Sequence, residues 1–191
     1  MTSRWQVAAD DTSVLWAPFE ARLHQTDDLR RQQILRTIIE HLRTESAGDI
    51  EGVMATVAPD ARFVNPFGEG PNGWDAIRTH YEAVFAAGGI GNMIVDTHRV
   101  VVGDDEIVNE YSFSFIVPAV LARRQGYSVT DTEGHFAVRQ HGCTMLPFDP
   151  EGRLRGEISY TTNKDPDDWE RVPDDQLSPG YLRWLEGLPA E

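Results

Sequence analysis

The sequence holds one cysteine, Cys143, which excludes an internal disulfide and a cluster of thiolate metal ligands. Cys143 reads as a small buried or half-buried strand residue rather than a reactive thiol. Positive charge is scarce as well: 17 Lys and Arg face 31 Asp and Glu, for a formal net charge of -14. The acids are spread along the whole chain, so the surface field repels phosphate backbones and anionic lipid, and neither nucleic acid nor membrane is an expected partner. The basic pairs Arg30-Arg31 and Arg123-Arg124 read as solvated positions. Long apolar runs are absent too; the stretch from Ile116 to Ala122 is broken by Pro118 and is far too short to span a bilayer. The first residues lack the apolar segment of a signal peptide, and a cytoplasmic location is the expectation.

Several chemical signatures are missing. The six histidines are dispersed. His135 and His141 share a strand face but stand about 20 Å apart along it, so no metal set forms. Gly88-Gly89-Ile90-Gly91 follows a helical stretch instead of opening one, which argues against a phosphate loop. No serine nucleophile elbow is found. The chain therefore reads as cofactor-independent.

What is present organises itself well. Hydrophobic content of 40% and charged content of 25% suit one globular core, and 191 residues suit one domain with decorated ends. Asp27-Asp28 precede a stripe of Ile34, Leu35, Ile38, Ile39 and Leu42, predicting a long helix that ends near Gly48. Asp49 caps a second, short helix carrying Ile50, Val53, Met54 and Val57, which Pro59 is expected to close. A strand from Ala61 is cut off by Pro66, a Gly/Pro-rich loop follows, and residues 75–87 return to helical spacing. Beyond them, Ile107, Asn109, Tyr111, Phe113, Phe115 and Val117 alternate with polar residues along a strand. Similar strands are read at 94–102, 135–146 and 154–162, with Asp149-Pro150-Glu151-Gly152 turning the last two into a hairpin. Helices first and antiparallel strands afterwards define an α+β class.

The segments Ser46 to Gly52, Pro59 to Pro66 and Gly73 to Tyr81, with the turn Phe148 to Leu154, resemble the SnoaL-like and ketosteroid isomerase-like families of the nuclear transport factor two-like superfamily. The resemblance spans 28–163, leaving 1–27 and 164–191 as terminal extensions. It implies a cone-shaped curved antiparallel sheet wrapped around N-terminal helices, enclosing a pocket for a small, largely apolar molecule. Trp5, Trp16, Phe19, Trp169, Tyr181 and Trp184 in the extensions are expected to pack on the domain or on a second subunit.

The resemblance also names candidate residues. Ketosteroid isomerase's base position, before the proline of the first strand, is Asn65 here, which takes no proton at useful pH. Its oxyanion donors fall on His41 and Thr144. Limonene epoxide hydrolase's water-positioning residues match Phe63 and Asn65, and its charged set falls on Tyr111, Phe113 and Ser159. Trp74 and Tyr81 complete the substrate-binding candidates. His41 is either a proton-transfer group or a core histidine, and Tyr111 either a pocket donor or a core tyrosine with a satisfied tip. Alignment turns Ser159 and Thr161 inward on the last strand, whereas hydrophobic alternation turns Ile158 and Tyr160 inward. On the preceding strand, parity places Phe136, Val138, Gln140, Gly142 and Thr144 on one face and His135 with His141 on the other.

The function implied is a cofactor-independent lyase or isomerase of cyclase or dehydratase type acting on a carbonyl-containing substrate, with His41, Asn65 and Tyr111 as catalytic residues. The alternative is a non-catalytic ligand-binding or dimeric assembly module. A homodimer through the convex sheet face is expected, because a sheet with one face on the core often buries the other in a partner. Sedimentation at micromolar concentration should give twice the 21.5 kDa chain mass, and a monomer alone would reject the interface.

Overall fold

The computed structural model describes residues 11–65, 68–86, 89–90, 93–124, 129, 131–162 and 169–187, so Trp5 lies outside the described residues. A 3-10 turn, Thr12–Leu15, leads into helix α1 (Ala17–Leu23). Helix α2 (Leu29–Ala47) begins where the Asp28 carboxylate accepts from the Arg31 amide, and ends at Gly48, whose φ of 69° only glycine adopts without strain. Asp49 caps α3 (Ile50–Thr56) in the same way through the Gly52 amide. Then come β1 (Val57–Asn65), β2 (Gly68–Asn72), α4 (Trp74–Ala86), β3 (Met93–Val102), β4 (Glu106–Pro118), α5 (Ala119–Arg124), β5 (His135–Pro147), β6 (Leu154–Thr161), β7 (Glu170–Val172) and α6 (Pro179–Glu186).

The strands form one curled sheet in the order β2-β1-β6-β5-β4-β3, with β7 added against β5. Its hollow face holds the predicted stripe of α2: Ile34, Leu35, Ile38 and Ile39 pack on Ile107, Leu146, Phe148 and Leu154, with Phe19 of α1 in the same cluster. Each such aliphatic side chain contributes roughly 1.5–3 kcal/mol on burial. A second cluster joins α3, β1 and α4 through Val53, Met54, Phe63, Ile77 and Tyr81. The chain's last segment packs elsewhere. Val172, Leu177 and Tyr181 cover Ile116 and Ala137. By register, Ile116 and Ala137 belong to the outward set of β4 and β5. The aromatics Trp16, Phe19, Tyr181 and Trp184 thus pack on the chain's own core clusters.

Three local features depart from the sequence expectations. The second helix ends at Thr56, and Pro59 lies inside β1 instead of closing the helix. Pairing of β1 with β6 is broken between Val57 and Arg62, so proline's missing N–H leaves no ladder bond unmade. The Gly/Pro-rich segment expected as a loop contains β2, which pairs with β1. Gly70 permits this: a side chain there would stand 2.7 Å from the Phe63 carbonyl oxygen. Finally, β1 runs parallel to β6, while every other pairing among the described strands is antiparallel.

Strand β6 carries the feature that decides the site. Met145 pairs with Ile158, but Phe148 pairs with Leu154, so three steps along β5 oppose four along β6. The extra residue reverses which residues face inward. Leu154 is buried in the core, yet beyond the bulge Glu157 and Ser159 face the hollow while Tyr160 is 60% exposed. Alignment had Ser159 on the correct side, and hydrophobic alternation failed because it cannot count a bulge. Gly156, inside the bulged stretch, lets β1 lie close on the other side of β6, since a Cβ there would collide with the Arg62 carbonyl. Gly156→Ala should therefore lower stability by about 1–3 kcal/mol in denaturant titration, through forced displacement of β1. An unchanged midpoint would show that the two strands have room to part.

Candidate functional site

The hollow of the sheet contains a cavity of about 630 Å³, within the ~300–1,000 Å³ typical of small-molecule sites. Its apolar wall comes from α1, α2 and β3, among them Phe19, Ile38, Leu42, Met93 and Val95. Its polar wall crosses four strands: Thr97 on β3, Asn109 and Tyr111 on β4, Thr144 on β5, and Glu157 and Ser159 on β6, with Glu45 facing them from α2.

Behind Glu157 lies His41, fully buried. Its Nδ1 is 2.7 Å from Thr56 Oγ1, and its Nε2 is 3.0 Å from the Tyr81 hydroxyl and 3.1 Å from Glu157 Oε1. Proton counting fixes the tautomer. Thr56 donates its only hydroxyl proton to the Val53 carbonyl at 2.6 Å, so toward His41 it can only accept, and Nδ1 must carry hydrogen. A bare Nε2 facing an ionised carboxylate would be repulsive, so a proton occupies that contact too, on the imidazole or on Glu157. Burial opposes the imidazolium, but the hydrogen bond and charge of Glu157, with the charge of Glu45, prevail and raise the His41 pKa. Burial pushes the Glu45 carboxyl up to about 7; Glu157's charge adds to this and His41's opposes it. Burial and the same two carboxylates hold Tyr81 well above the usual phenol range, as a neutral hydroxyl.

A hydroxyl ladder runs beside this cluster. The Tyr111 hydroxyl is 2.9 Å from Thr144 Oγ1, which is 2.8 Å from Ser159 Oγ. If Ser159 donates to Thr144 and Thr144 to Tyr111, the phenol proton is left free for a ligand oxygen. The Tyr111 ring lies over Gly142, where a Cβ would come within 2.8 Å of it. Two further polar atoms of the wall, Thr97 Oγ1 and Asn109 Oδ1, are buried with no protein partner. Such atoms are costly unless a ligand or water satisfies them.

The sequence candidates divide by position. Tyr111, Thr144 and Ser159 line the cavity. His41 lies one side chain behind the wall and reaches the cavity through Glu157. Phe63, Trp74 and Tyr81 belong to the cluster between β1 and α4, with Tyr81 also bonded to His41. Phe113 shares the inward set of β4 but packs between Tyr111 and Phe115 and does not reach the wall. Asn65 ends β1, and its side chain lies outside the described residues. His141 is on the outer face, 3.2 Å from Glu110 and stacked on His98, and His135 bonds the Tyr181 hydroxyl at 2.8 Å. Both histidines are off the cavity, in agreement with strand parity. The sequence reading assigns no role to Glu157 or Glu45. The signals were available: Glu157 precedes Ser159 by two on one strand, and Glu45 follows His41 by four on one helix.

The chain matches the SnoaL-like domain family over residues 38–154, more than half its length, and belongs to that family. No curated protein matches it by sequence. One similar solved structure is SalBIII, described as an epoxide hydrolase/cyclase-like enzyme in pyran ring formation in the polyether salinomycin. It is 12% identical, with 74% of this chain and 97% of that chain covered at a TM-score of 0.50. Two polyketide cyclase-like proteins of the SnoaL-like type are similar as well. The one from Jannaschia sp. CCS1 is 12% identical over 71% of this chain and 90% of its own, at a TM-score of 0.52. The one from Shewanella denitrificans OS-217 is 13% identical over 71% and 92%, at 0.51. At such identities the likeness establishes the fold.

The electrostatics give a testable pH dependence. A carboxyl whose folded pKa is raised from 4.5 to about 7 binds more protons folded than unfolded between those values, so its contribution to stability is present below about 4.5 and lost as pH rises to about 7. The raised His41 pKa acts in the same direction above its unfolded value of 6.5. Relative to wild type, Glu45→Gln should lose the decline in thermal midpoint between pH 4.5 and 7. Parallel curves for the two proteins would show that Glu45 titrates normally.

Proposed function

We propose that this protein is a cofactor-independent lyase or isomerase, of cyclase or dehydratase type, acting on a small, largely apolar, carbonyl-containing molecule. The observation that carries the reading is a buried imidazole 3.1 Å from the cavity-facing Glu157 carboxyl, beside a second carboxyl, Glu45, whose pKa burial raises to about 7. Two acids in one site with different environments are suited to opposite halves of a proton transfer.

In this reading Glu157, as the carboxylate partner of imidazolium His41, removes a proton from the carbon next to the substrate carbonyl. The electron pair of that C–H bond moves onto the carbonyl oxygen, and the Tyr111 hydroxyl, relieved of donating within its ladder, donates to the developing enolate. Collapse of the enolate sends the pair to another carbon, which takes a proton from Glu45, or expels a hydroxyl that leaves as water with that proton. The apolar wall keeps bulk water from competing for the enolate. His41 is a positioning residue here: it fixes Glu157 and compensates its charge without touching substrate.

A direct test is hydrogen–deuterium exchange next to the carbonyl of small cyclic ketones in D₂O, followed by NMR. Wild type should accelerate exchange, Glu157→Gln should reduce the acceleration by roughly 10²- to 10⁴-fold, and its thermal midpoint should move far less. His41→Asn should change the pH profile as well as the rate. Ketones that bind without any exchange would favour a ligand-binding module in place of an enzyme.

A further inference from the structure

The part of the cavity wall made by α6 lies outside residues 38–154, the stretch shared with the family. Gly180, Arg183 and Trp184 occupy one face of that helix at i, i+3 and i+4, and all three line the cavity. A bare backbone position, a cation and an indole ring are therefore presented together. Among the described residues of the wall, Arg183 is the cation and Glu45 and Glu157 are the acids. Arg183 shares with Arg22, Arg36 and Arg123 the lack of a carboxylate partner among the described residues. Arg30, Arg43, Arg78 and Arg153 each hold a carboxylate, whereas among the described residues none is paired with Arg183, although acids outnumber bases 31 to 17.

The charges on this wall belong to different elements. Glu45 and Glu157 stand on α2 and β6, gathered around His41. Arg183 stands on α6, on the face that also carries Gly180 and Trp184. The orphaned Thr97 Oγ1 and Asn109 Oδ1 lie on β3 and β4, further along the same wall. An unpaired guanidinium beside apolar surface fits a planar anion with two oxygens, which it binds through paired N–H donors.

We propose that the ligand of this cavity is an organic carboxylate. Arg183 takes the carboxylate group, Trp184 and Met93 cover the apolar body, and an oxygen-bearing end reaches Thr97, Asn109 and Tyr111. This deepens the enzyme reading above by assigning the substrate an acidic group remote from the reacting carbonyl, and it depends on that reading only for which end reacts. A net charge of -14 disfavours anions at long range, so any preference for an acid over its neutral ester must arise from local contact.

The test uses the neutral fluorophore N-phenyl-1-naphthylamine, displaced by 2-naphthoate or by methyl 2-naphthoate. In wild type the acid should displace the probe at roughly 3- to 10-fold lower concentration than the ester. Arg183→Gln should erase that difference while leaving the affinities of probe and ester unchanged, and Arg183→Lys should retain part of it. Arg183 is solvent-exposed, and thermal midpoints matching wild type confirm that the variants are folded. Equal displacement by acid and ester in wild type, or an acid preference that survives in Arg183→Gln, overturns the proposal while leaving the exchange assay at Glu157 unaffected. Failure of the neutral probe to bind wild type rejects the ligand cavity itself, and both readings fall together.

Discussion

A fully buried imidazole cannot be left with an unanswered ring nitrogen, and the answers to His41 come from three different elements. Thr56 ends α3, Tyr81 lies on α4, and Glu157 lies on β6. Each is distant from His41 in sequence, so the hydrogen bonds join α2 to both neighbouring helices and to the sheet. Losing one partner would strand a buried polar group, at a cost of roughly 1–3 kcal/mol. The need to satisfy one side chain thus holds the inner layer in register and also ties down the carboxylate facing the cavity.

The sheet supplies the rest by irregularity rather than by regular alternation. On β3 the pairing with β4 slips between Thr97 and Arg99, which turns Thr97 inward and also keeps Val100 in the core. On β6 the bulge between Leu154 and Ile158 lets Leu154 serve the hydrophobic core and Glu157 line the cavity, two placements that strict period-two geometry would forbid for residues three apart. Polar side chains from four strands then fall into one band across the hollow face. Apolar residues of α1, α2 and β3 close the other side, so the few polar groups act in a weakly screened environment where each hydrogen bond has more effect.

The segments flanking the shared domain are part of the cavity as well. Thr12, Val14 and Leu15 from the first 3-10 turn and Gly180, Arg183 and Trp184 from α6 complete its wall. The family match ends at residue 154, so His41, Glu45, Thr56 and Tyr81 lie within it, while Glu157, Ser159 and the α6 portion of the wall lie beyond it.

Sequence alone determined the elements that local physics governs. Asp28 and Asp49 mark their helices because a short acidic side chain can meet free amides, and Gly48 ends α2 because the left-handed turn excludes a Cβ. Alternation along β4 and β5 was legible because their pairing is unbroken for thirteen residues, so Tyr111 and Thr144 turned inward and His141 outward as parity required. The tertiary structure decided what spacing cannot carry. A bulge is defined by a partner strand, so the inward turn of Glu157 could not be read from hydrophobic alternation on β6. Whether His41 touches the cavity or stands behind it depends on which side chain packs between them, a fact about three distant segments. The strand at Gly68–Asn72 forms because β1 offers it an open edge, which no local propensity of Gly-Glu-Gly-Pro-Asn records. Period and capping are properties of a segment; register, and the contact between His41 and Glu157, are properties of segments brought together.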